Sequence, residues 1–286
     1  MGKYRAIFAV LGLALAPCLL GQNSSPAKSS AAFAPLEQWK SAVESGNTSL
    51  LKSMYSSNPP AHVATISGDS TPDADIAFWS SLKPHRIKLT VAQSDSPQAG
   101  VQQLVFSAEV HSGTPSADHV VYVTEGQLWQ DQAGTWKLIA TKRSDATKLE
   151  QPTSTSKVIY APGLDAHEEI KQALALAAKE HKNVLIVFGA NWCYDCHVLD
   201  LAFQRPDLSG ILRRNYVVVH VDIGEFNKNL DLMKQYEAPM QKVPSLAVLD
   251  GKGKLLYSQQ GGEFSKARAL APEDILAFLN KWKPQA

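Results

Sequence analysis

One pair of side chains in this sequence could carry electron chemistry. Cys193 and Cys196 are separated by Tyr194 and Asp195, directly after Trp192 and directly before His197. Two thiols three positions apart can close into a disulfide and be reopened by an attacking thiolate, which is the requirement of thiol–disulfide exchange. The same run, C-x-x-C-H, also describes covalent attachment of a c-type haem, and Cys193, Cys196 and His197 could join a zinc site. Haem would need a distal ligand, for which Met233 and Met240 are available, and it leaves Trp192 and the later Val243–Pro244 without a role. Zinc would need a second ligand pair at metal spacing, and the sequence offers none.

The flanking segments bear on this choice. The apolar run "NVLIVFGA" before the motif suits a strand buried on both faces. Cys193 to Gln204 reads as a helix, with Leu199, Ala202 and Phe203 turned inward. Cys193 then sits at the helix N-terminus, where free N–H groups and the macrodipole stabilise a thiolate and draw its pKa from ~8.5 toward about 7. Asp195 opposes that shift and His197, if protonated, favours it. Upstream, "HEEIKQALALAAKEHK" is an amphipathic helix with Ile170, Leu174, Ala177 and Ala178 on one face. Downstream come a second buried strand "YVVVHVDI", a helix "LDLMKQYE", a hairpin around "GKGK" and a terminal helix "PEDILAFLNKW". Together they predict an α/β domain with a mixed central sheet and helices on both faces. His220, in an apolar strand, reads as a core or strand-edge histidine.

The first half has a different rhythm. "PLEQWKSAVESG", "TSLLKSMYSS" and "DADIAFWSSL" have helical spacing, and then the period falls to two in "RIKLTVAQ", "VQQLVFSAEV", "HVVYVTEGQLWQD" and "TWKLIATKR". Helices followed by long antiparallel strands predict an α+β domain, with helices packed on one face of a curved sheet. Two stretches rich in Ser, Thr and Pro read as linkers. The expected organisation is therefore a signal peptide at 1–22, a linker at 23–34, an α+β domain at 35–150, a linker at 151–157 and the second domain at 158–286.

At 286 residues and 44% hydrophobic content the chain can build two cores. A net charge of +1, with basic residues scattered, predicts no nucleic-acid partner. Lys3 and Arg5 precede the apolar run "AIFAVLGLALAPCLL", the pattern of an export signal, so an extracytoplasmic or periplasmic location is expected. "LAPC" is similar to a bacterial lipobox, which would acylate Cys18 and anchor the protein to a membrane; an uncleaved apolar segment would anchor it too. Of three cysteines, removal of Cys18 leaves only Cys193 and Cys196, too few for a structural disulfide framework.

"NWCYDCH" after a buried strand, "KVPSLAVLD" before a hairpin and the Gly261–Gly262 pair after it resemble the thioredoxin superfamily over about 158–283. The "WCxxCHxLD" form is most similar to exported bacterial thioredoxin-like domains. The resemblance implies a thiol–disulfide oxidoreductase in which Cys193 attacks a substrate disulfide and Cys196 resolves the adduct. It implies a cis Val243–Pro244 bond beside the pair, with Val243 and Pro244 receiving an extended substrate chain and Trp192 shielding the thiolate. Expected partners are protein or peptide disulfides and a redox partner protein, with no cofactor beyond the Cys193–Cys196 disulfide. Many thioredoxins place a buried aspartate where this sequence has Val187, so the proton acceptor for Cys196 must come from elsewhere. The alternative is a binding or scaffold protein with an inert thioredoxin fold. In the first half, "EGQLWQDQAGTWKLIATKRSD" is similar to SnoaL-like and ketosteroid-isomerase-like cone domains, which implies a fold with a pocket but no activity. Glu109, His111, His119 and Glu125 are its available acids and bases, read here as solvated strand positions.

Overall fold

The structure, a computed structural model, describes residues 33–114 and 116–285. The expected export segment, Cys18 and most of the 23–34 linker lie outside the described residues. Among the described residues no helix is long and apolar enough to cross a membrane.

The first domain runs α1 (Ala34–Glu44), α2 (Thr48–Met54), β1 (His62–Thr65), β2 (Gly68–Ser70), α3 (Pro72–Ser81), β3 (Pro84–Gln98), β4 (Val101–Thr114), β5 (Ala117–Gln132) and β6 (Thr135–Arg143). Sequence signals set the helix starts: Asn47 and Thr71 accept hydrogen bonds from Leu50 N and Ala74 N, capping α2 and α3. The strands form one sheet in the order β2-β1-β6-β5-β4-β3. The three helices pack their apolar faces on it, burying Trp39 and Trp79 edge to face at 5.0 Å with Phe106 beneath Trp39. This is the expected α+β layer. The β1–β2 hairpin was not expected. Its strands have four and three residues, too few to show a period, and β1 is held by parallel pairing to β6.

Two of the four residues read as solvated strand positions are not solvated. Glu125 is completely buried and His111 is 5% exposed, whereas His119 is exposed and Glu109 half-buried. Period two assigns a residue to a face but does not say which face is covered, and the helices cover the Glu125 face. Glu125 Oε1 accepts from Thr141 Oγ1 at 2.5 Å and Gln127 Nε2 at 2.9 Å, while Oε2 has no hydrogen-bond partner among the described residues. Nearby, Asp75 takes Arg143 Nε at 2.5 Å and the Tyr55 hydroxyl at 2.7 Å. Burial, with the Asp75 carboxylate adding to it, pushes the Glu125 carboxyl up to about 8.

That shift fixes a pH dependence. Below an ordinary value of 4.5 the carboxyl is protonated folded or unfolded; above it the unfolded chain ionises first, so stability falls until about pH 8. In Glu125→Gln the loss is absent, and the variant should gain on the order of 4 kcal/mol over the parent at pH 8 and little at pH 4. Urea unfolding at the two pH values measures this; equal gains at both would contradict a neutral, buried Glu125.

The second domain runs α4 (Ala166–Glu180), β7 (Asn183–Gly189), α5 (Tyr194–Gln204), α6 (Pro206–Asn215), β8 (Tyr216–Asp222), α7 (Leu230–Gln235), β9 (Ser245–Leu249), β10 (Leu255–Ser258), a 3₁₀ segment Glu263–Ala269 and α8 (Pro272–Trp282). Its sheet order is β10-β9-β7-β8, with β8 parallel to β7 and β9 antiparallel. Every residue of β7 is buried, because alternate side chains enter two cores. Val184, Ile186 and Phe188 pack with α4 and α7 on one face. Leu185 and Val187 pack with α5, α6 and α8 on the other. The mixed sheet with helices on both faces is as the sequence predicts, except for α6, which was not expected. Arg205, extended because Pro206 follows it, ends α5, and Pro206 at the first helical turn starts α6. The connecting stretch is more than a polar tether: Leu149 is fully buried in the second domain's core, and Gln151 is 4% exposed.

Candidate active site

Strand β7 ends in the sheet interior and delivers the chain through Ala190, Asn191 and Trp192 to Cys193. Cys193 is the N-cap of α5, and the Cys196 N–H is shared between the Cys193 carbonyl and Cys193 Sγ, each at 3.1 Å, so a helix-terminal donor already reaches the sulfur. Cys193 and Cys196 form a disulfide with Cα atoms 5.2 Å apart, and the residues are 4% and 2% exposed. The Val243–Pro244 peptide is cis, and Val243 packs against the two cysteines and Tyr160. Pro244 is held by Gln259, which is fully buried and donates to the Pro244 carbonyl at 3.3 Å.

Asn191 and Trp192 anchor the loop before the motif. Asn191 Oδ1 accepts from Ile159 N and Tyr160 N at 2.9 and 3.0 Å, and its Nδ2 donates to the Tyr160 carbonyl at 2.8 Å. One amide thus fixes the segment before α4 beside the disulfide. Trp192 donates Nε1–H to the Gly224 carbonyl at 2.9 Å and tilts against Phe226. It supports the loop, and with 45% of its surface exposed it offers an apolar face to solvent beside the pair.

Asp195 is not the free carboxylate expected from its place between the cysteines. Arg268, from the 3₁₀ segment, grips it with Nη2–Oδ2 at 2.6 Å, Nε–Oδ1 at 3.1 Å and its own backbone N–H on Oδ1 at 2.9 Å. Such a bidentate, charge-assisted pair cancels most of the field of Asp195 on the first turn of α5. The Arg268 guanidinium also lies 4.7 Å from the Tyr194 ring centroid, and its hydrogen bonds to Asp195 push its pKa up. His197 is buried, and its Nε2 lies 2.8 Å from the Asn191 carbonyl, so Nε2 carries the proton and closes the turn before the motif.

Val187 stands where the resemblance implies an aspartate, 2% exposed in the apolar core. His220 lies on the edge strand β8, with the Tyr160 ring edge-on to it at 5.5 Å. Sequence reading missed Tyr160, Asn191, Gln259 and Arg268. Arg268 lies 73 residues from Asp195, and Tyr160 reaches the site from a segment with no periodic signal.

A family model described as thioredoxin-like matches residues 165–251. Among solved structures, the chain is similar to a disulphide isomerase from Xylella fastidiosa Temecula1, with 34% identity, a TM-score of 0.43, and coverage of 44% of this chain and 97% of that one. It is also similar to an NTF2-like protein of unknown function in nutrient uptake from Rhodospirillum rubrum, at 17% identity and TM-score 0.33, covering 39% of this chain and 94% of that one. A ketosteroid isomerase-like protein from Erwinia carotovora atroseptica matches at 11% identity and TM-score 0.32, covering 39% and 90%. A search of curated proteins gave no match.

Proposed function

The chain belongs to the thioredoxin-like family through its C-terminal domain, and from that premise we propose that it is an exported thiol–disulfide oxidoreductase acting on protein or peptide disulfides. The observation that carries this reading is the Cys193–Cys196 disulfide capped onto the N-terminus of α5, with the cis Val243–Pro244 turn packed against it. In the reducing direction, the Cys193 thiolate attacks a substrate disulfide and expels one substrate thiolate. The Cys196 thiolate then attacks Cys193 Sγ in the mixed disulfide, releasing the second substrate thiolate and restoring the intramolecular bond. A dithiol redox partner returns the pair to the reduced form. No cofactor beyond the disulfide takes part in this cycle. The N–H of Cys196 favours negative charge on Cys193 over Cys196, which makes Cys193 the entering nucleophile.

Trp192, 45% exposed directly before the pair, supplies apolar contact for an unfolded or extended substrate. A reduction potential nearer the thioredoxin end, about −270 mV, than the strong-oxidant end, about −120 mV, is expected from the carboxylate of Asp195 beside Cys193, with the Arg268 pairing moderating that reducing influence. Export follows from the apolar segment after Lys3 and Arg5, and N-terminal sequencing of the mature protein tests it. The activity is tested by insulin reduction with dithiothreitol. The wild type should accelerate precipitation and Cys193→Ser should not; equal rates would favour a redox-inert binding domain.

A further inference from the structure

Tyr160 is fully packed against the disulfide and has no role in the cycle described above. Its side chain is 1% exposed and clusters with Cys193 and Cys196, and its hydroxyl has no hydrogen-bond partner among the described residues. A buried, unpaired phenol is costly to keep. Its place follows from Gly189, the last residue of β7. A Cβ on Gly189 would lie 2.1 Å from the Tyr160 hydroxyl and 2.7 Å from Cys196 Sγ, so oxygen and sulfur lie within 4.8 Å of each other. The absence of a side chain at Gly189 brings the two atoms together.

We propose that the Tyr160 hydroxyl is the catalytic hydrogen-bond donor to the Cys196 thiolate, filling the role left open by Val187. The inference rests on the oxidoreductase reading. A disulfide sulfur is a weak acceptor, which fits the unpaired hydroxyl of the oxidised form. When a donor thiolate attacks Cys193 Sγ, the S–S bond breaks and its electron pair departs on Cys196 Sγ. That anion is a strong acceptor, and the phenol donates to it without giving up its proton. In reverse, the same hydrogen bond keeps more of Cys196 as thiolate, ready to attack the Cys193 mixed disulfide.

Tyr160 stays a donor because burial, with Asp200 and Asp222 adding to it, pushes its own pKa up. The charged and titratable groups around the pair are otherwise accounted for. Asp200 is bonded to Lys157 and Asp222 to Lys228. Asp195 is held by Arg268, His197 is bonded to the Asn191 carbonyl, and burial lowers the pKa of His220 against the Tyr160 ring. Among the described residues, the Tyr160 phenol is the unpartnered titratable group that clusters with Cys196.

The test is the Cys196 thiol pKa in full-length Cys193→Ser, from the pH dependence of alkylation of the Cys196 peptide read by mass spectrometry. Adding Tyr160→Phe, which keeps the ring and removes the hydroxyl, should raise that pKa by about one unit, a tenfold loss of thiolate at neutral pH. In the otherwise wild-type protein, Tyr160→Phe should slow release of an insulin mixed disulfide about tenfold at pH 7. An unchanged pKa in a variant with unchanged thermal unfolding overturns the proposal. If Tyr160→Phe does not fold, 3-fluorotyrosine at position 160 strengthens the donor and must lower the Cys196 pKa; no change there overturns it as well. The pKa measurement needs no turnover, so its failure is distinct from failure of the wild type to reduce insulin.

Discussion

Gly189→Ala should be among the most damaging single substitutions in the second domain. The added methyl would sit 2.1 Å from the Tyr160 hydroxyl, 2.5 Å from its Cζ and 2.7 Å from Cys196 Sγ, all inside van der Waals contact. None of these neighbours has an easy retreat. Tyr160 is fixed at its backbone by two hydrogen bonds to Asn191, which also holds Ile159 N, and Cys196 is tied to Cys193 and to the first turn of α5. Overpacking of this kind costs about 1–3 kcal/mol, and the melting temperature should fall by roughly 5–10 °C. Any folded fraction should show slower disulfide exchange, because the methyl forces Tyr160 away from Cys196. The combination Gly189→Ala with Tyr160→Phe removes one clashing atom and should recover part of the stability without recovering the rate. Melting curves and exchange rates of the two variants check this; an unchanged melting temperature in Gly189→Ala would mean that the site is looser than the packing implies.

The second large effect concerns the potential. Arg268→Ala leaves Asp195 with its side chain 11% exposed and without its guanidinium partner. An uncancelled carboxylate in the first turn of α5 disfavours the Cys193 thiolate, so the reduced form loses stability relative to the disulfide. The reduction potential should become more negative by about 20–30 mV, roughly the two-electron equivalent of a tenfold change in the exchange constant. Because Arg268 is half exposed, the accompanying loss of stability should be modest, about 1–2 kcal/mol. Asp195→Asn in the Arg268→Ala background removes the charge and should restore the potential. Equilibration with a glutathione redox buffer reads both changes. A potential that stays put in Arg268→Ala would mean that Asp195 is too well screened from Cys193 to matter.

How much of this arrangement is visible in the sequence depends on the range of the forces that build it. The strand β7, the helix after Cys193 and the apolar stripe of α4 follow from local periodicity, and the two linked thiols follow from spacing alone. The Val243–Pro244 turn was reached through resemblance, since nothing local ties it to a pair about fifty positions earlier. The β1–β2 hairpin is too short to carry a period, and α6 is hidden because Pro206 both ends one helix and begins the next. Asp195 shows the limit most clearly. Its position between the cysteines predicts a free opposing charge, and an arginine 73 residues away cancels it. Glu125 fails in the same way, because an alternating strand does not reveal which of its faces the helices will cover. Tyr160 lies in "VIYAPG", with no periodic neighbour to mark it, and its meaning depends on Gly189 across the sheet edge.

The central claim is that Cys193 attacks and Cys196 resolves. Reduced Cys196→Ser mixed with insulin should accumulate a covalent adduct, located on Cys193 by peptide mass spectrometry and released by dithiothreitol. Cys193→Ser under the same conditions should accumulate far less, and the wild type should reduce insulin without a lasting adduct. Equal adducts in the two single variants, or none in Cys196→Ser, would contradict the assignment of this pair as a directional exchange site.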